Sequence, residues 1–168
     1  MTMESILIEQ LLLSELRARG MTFAAAESCT GGLIAKRFTD LSGASAAFRG
    51  GVVSYTNEVK HRVLGVPQAL LDEYGAVSAP VARAMAEGAR QITGADLAVS
   101  VTGVAGPDKD DRGNAVGTVY LAVSSAQGTA VETHLYSGDR QQIRDRAAFT
   151  AFSLLLQHLE EHQPKNKE

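Results

Sequence analysis

The 168-residue chain carries 16 basic and 19 acidic residues, a net charge of −3, with 45 % hydrophobic and only 5 % aromatic side chains. A single domain of that length buries roughly two-thirds of its unfolded surface, and with no Trp its core must be mainly aliphatic. The charge balance argues against a nucleic-acid partner, which needs a basic stripe. The single Cys29 excludes an internal disulfide and fits a reducing, cytoplasmic setting.

The first element is a helix over Glu4–Arg19, apolar at Ile8, Leu11, Leu12 and Leu16 and stopped by Gly20. Its apolar run, Ile6–Leu13, is broken by Glu9 and Gln10 and falls far below the ~20 apolar residues of a membrane span. Thr22–Ala26 suits a short buried strand, and a helix follows from about Gly31 to Leu41. Phe48–Tyr55 reads as the second strand, with Gly50 and Gly51 permitting close backbone approach. Asn57–Leu64 and Pro67–Tyr74 are short helices, with Pro67 in a first-turn position.

The helix opened by Ser78-Ala79-Pro80 runs to Thr93. Its Ala82, Ala86 and Ala89 make a small-residue face for tight packing on a sheet. Leu97–Thr102 is the clearest strand. Val116–Ser124 and Thr129–Tyr136 form a hairpin about Ala126-Gln127-Gly128. Asp139 caps a closing helix that ends near Glu161. The sum is an α/β layered sheet of five strands with a mixed edge, one domain over 1–162, and a tail at 163–168 expected to be disordered. The small-residue helix and the first helix are each candidate subunit faces, so a homo-oligomer is expected.

Four segments could carry chemistry. Ala26-Glu27-Ser28-Cys29-Thr30-Gly31-Gly32 lies at a strand end and opens a helix, where ligands of α/β sheets bind and free N–H groups favour a phosphate or an oxyanion. The plainer reading makes Ser28 or Thr30 an N-cap. The spacing is neither a Walker A loop nor a dinucleotide fingerprint. Gly50–Lys60 brings Tyr55 and Lys60 towards the same mouth, where a partly desolvated lysine can act as a base with the tyrosine hydroxyl as relay.

Thr102-Gly103 leaves a third strand end. Arg140 and Arg144, one helical turn apart, either clamp a phosphate or pair with Asp139, Asp145 or solvent. Asp108–Gly113 imitates a calcium loop, but Arg112 and Val119 stand where oxygen ligands are required. The four histidines lack metal-ligand spacing apart from His158 and His162, which are more readily solvated than zinc-bound. Neither a metal nor a cofactor is expected.

Taken together, the chain resembles the C-terminal domain family of the competence/damage-inducible protein CinA, the nicotinamide-nucleotide amidases. The matching stretches are Ala26–Gly32, Ser42–Ser45, Gly50–Lys60 with Leu64–Val66, Gly75–Ser78, Thr102–Pro107, Val116–Thr118 and Gly138–Arg144. The resemblance implies a three-layer α/β/α sandwich on a mixed, mostly parallel five-stranded sheet. It also implies a small-molecule nucleotide substrate, nicotinamide mononucleotide, hydrolysed to nicotinate mononucleotide and ammonia.

Mapped onto this sequence, Ser28 attacks the carboxamide, and Lys60, helped by Tyr55, moves the proton. Backbone N–H groups near Thr30-Gly31 or Gly103 hold the oxyanion. Ser45, Thr102 and Arg140 contact substrate, the arginine at the phosphate. The family's glycine-rich run after Pro107, ending in Lys-Pro, is replaced here by Asp108–Ala115. Larger family proteins carry a further N-terminal domain that this chain lacks. The competing expectations are a Cys29 nucleophile assisted by Glu27 and Lys60, and a non-catalytic nucleotide- or partner-binding module.

Overall fold

The computed structural model describes residues 3–163; the tail expected to be disordered lies, apart from Gln163, outside the described residues. Helix α1 (Met3–Arg19) leads to strand β1 (Phe23–Glu27). Helix α2 (Leu33–Thr39) and a 3-10 turn (Ala44–Ala46) lead to β2 (Phe48–Val53). Three helices, α3 (Asn57–Leu64), α4 (Gln68–Tyr74) and α5 (Ala79–Thr93), return the chain to β3 (Leu97–Gly103). The hairpin β4 (Thr118–Ser125) and β5 (Gly128–Leu135) precedes α6 (Arg140–Glu161).

The boundaries shift where glycine decides. Helix α2 starts two residues later than its pattern predicts, because Gly31 and Gly32 have φ of 58° and 102°, outside helical geometry. Strand β4 starts at Thr118 because the Gly117 N–H turns back onto the Val104 carbonyl. Pro67 stands at the N-cap of α4, one position before the predicted first turn. Asp139 caps α6 as expected and completes a capping box with Gln142.

The five strands form one sheet in the order β2-β1-β3-β4-β5. β1 is parallel to both β2 and β3, whereas β4 runs antiparallel to β3 and to β5. Four strands therefore point one way, in the mixed sheet that the resemblance implied.

Alternation along the strands divides the core into two faces. Phe23, Ala25, Leu97, Val99, Val101, Val119, Leu121 and Val123 pack with the apolar stripes of α1, α2 and α6. Ala24, Ala26 and Ala98 pack with α3, α4 and α5 on the other side. This is a three-layer α/β/α sandwich.

The α1 and α2 stripes also enclose an ion pair between Glu9 and Arg37, both almost without solvent contact. The residue that interrupts the first apolar run is thus a buried partner. Desolvation raises the Glu9 pKa against the opposing pull of Arg37.

Both faces on which a homo-oligomer was expected are largely occupied within the chain. Ala82, Ala86 and Ala89 are fully buried, and Leu12, Leu13 and Leu16 pack in the core, although Leu7 and Leu11 remain exposed. No described helix is long and apolar enough to cross a membrane.

The closest helix seat is at Gly88, where an added Cβ would lie 1.9 Å from the Leu64 carbonyl oxygen. Alanine favours a helix interior by about 1 kcal/mol over glycine, but forced overpacking costs roughly 1–3 kcal/mol or more. Gly88→Ala is expected to lower stability by about 2 kcal/mol in urea unfolding. A variant as stable as the parent would contradict this seat of α3 on α5.

Candidate active site

Three strand ends meet at one edge of the sheet. Ser28 is the first residue after β1, and its N–H extends the β1–β3 ladder by donating to the Val101 carbonyl at 2.9 Å. Ser54, the first residue after β2, likewise donates to the Glu27 carbonyl at 2.8 Å. The chain then turns into α3, whose N-cap Thr56 accepts from the Val59 N–H. The fourth residue of that helix is Lys60.

The Lys60 side chain is 1 % exposed and lies between two oxygens, the Ser28 Oγ at 3.0 Å and the Ser54 carbonyl at 2.6 Å. Burial lowers its pKa from 10.5 to about 8, opposed slightly by Cys29. A neutral amine has two N–H bonds and one lone pair. With one N–H held by the Ser54 carbonyl, the lone pair can face the Ser28 hydroxyl. That is the geometry of a nucleophile with its base.

The loop carrying Ser28 is fixed from two sides. The buried Glu27 carboxylate accepts from Thr30 Oγ1 at 2.7 Å, Ile34 N at 2.8 Å and Ala35 N at 3.1 Å. It fills the α2 N-terminus, so that end of the helix is closed to an outside anion, contrary to the expectation from the motif. From α6, Arg144 donates to the carbonyls of Cys29 at 3.2 Å and Thr30 at 2.9 Å.

These bonds remove several residues from the expected substrate contacts. The Thr30 hydroxyl is buried against Glu27. The Gly31 N–H donates to the Ser28 carbonyl at 3.0 Å. Arg144 lies outside the cavity lining, so it does not join Arg140 in a phosphate clamp; its guanidinium is taken up by the two carbonyls that the strand-to-helix turn presents to it. Ser45 is exposed in the 3-10 turn before β2, at the opposite end of that strand from the site. Six strand residues separate the ends by about 20 Å.

Ser28 and Lys60 open into a cavity of about 280 Å³, shared with Tyr55, Thr102, Gly103 and Arg140. Thr102 is buried, and its hydroxyl donates to the Ala76 carbonyl at 2.8 Å, tying the α4–α5 loop over the cavity. The β3–β4 register pairs Val104 N with the Thr118 carbonyl. Alternate N–H groups of β3 therefore face β1, and that of Gly103 comes after the last rung, at Ser28. A Cβ on Gly103 would meet the Thr118 carbonyl at 2.7 Å, so only glycine fits.

The expected Tyr55 relay has no hydrogen bond behind it. Tyr55 is 57 % exposed, and its hydroxyl accepts from Arg140 at 3.0 Å; no bond to Ser28 or Lys60 forms among the described residues. Arg140 also donates to the Gly106 carbonyl at 2.6 Å, bracing the cavity mouth. The Cys29 alternative weakens, since burial pushes its thiol up to about 12 and Glu27 is committed to α2. Sequence reasoning missed Asn57, Asp108 and Asp110 in the lining. The aspartates lie in a stretch that the sequence marks only as an imitation calcium loop and as a departure from the family.

A second groove, of about 600 Å³ between α3, α5 and β5, is lined mostly by apolar residues with Arg83 and Glu87. It holds no comparable nucleophile and base.

The family model of the CinA C-terminal domain matches residues 6–159. The chain belongs to the CinA C-terminal domain family. A CinA-like protein of Geobacter sulfurreducens is 56 % identical over 143 residues, covering 85 % of this chain and 35 % of that protein. One from Anaeromyxobacter dehalogenans is 49 % identical over 88 % of this chain and 36 % of its own length. The chain thus spans about a third of the curated relatives it matches.

Among solved structures, competence damage-inducible protein A of Klebsiella pneumoniae superposes with a TM-score of 0.92 at 31 % identity, over 95 % of this chain and 99 % of that one. The competence/damage inducible protein of Agrobacterium tumefaciens gives 0.88 at 36 % identity, over 95 % and 97 %. These CinA relatives share the three-layer fold.

The Lys60 shift has a measurable linkage. Between pH 8 and 10.5 the unfolded chain binds a proton that the native state does not, so Lys60 contributes stability that rises with pH across this window. Below pH 8 the buried amine must be charged, which costs about 3 kcal/mol relative to high pH. Lys60→Met removes this dependence. Its stability relative to the parent should improve by about 3 kcal/mol from pH 10.5 to pH 7 in denaturant unfolding. A pH-independent difference would mean that the lysine titrates normally.

Proposed function

We propose that the chain is a cytoplasmic amidohydrolase converting nicotinamide mononucleotide to nicotinate mononucleotide and ammonia, in pyridine-nucleotide recycling. The observation that carries this reading is the Lys60 Nζ to Ser28 Oγ distance of 3.0 Å in a buried pair open to a cavity. The family resemblance supplies the substrate, and Arg140 is the cation suited to its phosphate.

In the proposed reaction Ser28 Oγ bonds to the carboxamide carbon while its proton passes to the Lys60 amine. The Gly103 N–H receives the developing oxyanion. The carbon–nitrogen bond breaks as Lys60 returns the proton to the amide nitrogen, which leaves as ammonia and an acyl-serine ester remains. Water then attacks the ester, giving a proton to Lys60. The carbon–Oγ bond breaks, Oγ recovers that proton from Lys60, and the acid leaves, releasing its remaining proton to solvent to become a carboxylate. The reaction so written calls on neither metal nor cofactor. Tyr55 and Arg140 act together at the mouth, where the phosphate arrives.

Ammonia release from nicotinamide mononucleotide, with free nicotinamide as control, tests the reading. Ser28→Ala and Lys60→Met should each lower kcat by about 10³-fold or more, the scale of losing a nucleophile or its base, whereas Cys29→Ala should keep most activity. Activity should rise with pH through about 8 as Lys60 becomes neutral. Binding without ammonia release would favour a non-catalytic module, and a dead Cys29→Ala beside an active Ser28→Ala would assign the nucleophile to the thiol.

A further inference from the structure

Two opposite charges face the same cavity without meeting. Arg140 and Asp108 both line it, yet no ion pair joins them among the described residues. The guanidinium donates to neutral oxygens, the Gly106 carbonyl and the Tyr55 hydroxyl. Asp108 is exposed and has no hydrogen-bond partner among the described residues.

The neighbouring Asp110 behaves differently. Its carboxylate accepts from the N–H groups of Arg112 and Asn114 and from the Asn114 amide at 2.7 Å, so it folds the loop. Arg112, in turn, donates to the last carbonyls of α4, Leu71, Asp72 and Glu73. The loop is thereby anchored from Asp110 onward, at Asp110 and Arg112, and Asp108 is the carboxylate it leaves uncommitted at the cavity.

A cavity with an unpaired cation and an unpaired anion suits a ligand carrying both charges. We infer that Asp108 is a specificity residue that holds the positively charged pyridinium ring of the substrate, as Arg140 holds its phosphate. This rests on the proposed amidase reading and adds a determinant to it. The carboxamide is bonded directly to the ring, so when its carbon reaches Ser28 in so small a cavity the ring charge must sit among the lining groups. A free carboxylate gains Coulomb energy from a ring cation and nothing comparable from a neutral ring.

The test uses two ligands identical in ribose, phosphate and carboxamide: nicotinamide mononucleotide, whose ring is cationic, and its 1,4-dihydro form, whose ring is neutral. Calorimetry on a Ser28→Ala background prevents turnover. With Asp108 present, the oxidised form should bind about two- to fivefold more tightly, the size of an exposed charge pair. Adding Asp108→Asn should abolish that ratio while leaving the Kd of the reduced form unchanged.

Equal weakening of both ligands would overturn the inference and make the ribose hydroxyls the partner. Tightening of both would also overturn it, showing that Asp108 acts by repelling phosphate. An unchanged ratio would exclude any role towards the ring. If the intact protein shows the expected ratio and Asp108→Asn abolishes it, but no ammonia is released, the amidase reading fails and the Asp108 assignment stands. If neither ligand binds, both fall.

Discussion

A primary amine removed from water beside a serine hydroxyl is the constraint around which the rest is arranged. An unpartnered Lys60 would be a serious burden in this position, so the structure gives it a carbonyl at 2.6 Å and a hydroxyl at 3.0 Å. Both acceptors are held by the sheet itself, through the Ser54 N–H on Glu27 and the Ser28 N–H on Val101. The parallel strands β1, β2 and β3 are therefore more than a scaffold. Their hydrogen-bond register sets the distance between the Ser28 hydroxyl and the Lys60 amine.

Close packing makes that register possible. β1 is Phe-Ala-Ala-Ala-Glu, buried along its whole length, and a Cβ on Gly51 of β2 would meet the Ala25 carbonyl at 2.9 Å. On the other side of the sheet, Ala82 and Ala86 of α5 lie against Ala122, and the Ser100 hydroxyl donates to the Ala82 carbonyl at 2.6 Å. Small residues at these positions keep the three strand ends level, so the loops that follow them open into one cavity. In this chain the composition bias towards alanine and glycine is a statement about the site as well as the core.

The loop after β1 shows how one motif divides its work. Glu27 faces inward to the orphan N–H groups of α2, while Arg144 grips the outward carbonyls. Between them only Ser28 and Cys29 reach the cavity lining. The thiol is kept protonated by burial, whereas the Ser28 hydroxyl has the Lys60 amine beside it at 3.0 Å. Neither Glu27 nor Arg144 meets the cavity, yet both hold the turn that presents Ser28.

The order and type of the elements were readable from periodicity and punctuation, because a strand's alternation and a helix's apolar stripe are local consequences of which face is buried. Ser28, Lys60 and Arg140 were likewise legible, since each follows a strand end or opens a helix on the same edge. The aim of each polar side chain was not. Thr30, Gly31 and Arg144 lie in the right segments, but nearby backbone groups and Glu27 take up their hydrogen bonds. Ser45 sits in a matching motif at the wrong end of β2, while Asn57 lines the cavity with nothing in its local sequence to mark it and Asp108 lines it from a stretch marked only as an imitation calcium loop and a departure from the family.

The amino-acid order determined the layers, the strand ends and the set of groups that could react. Tertiary packing alone decided which of them remain free to meet a ligand. A hydrogen bond between residues 114 apart, such as Arg144 to Thr30, is decided by how helices seat on the sheet and by nothing local to either residue.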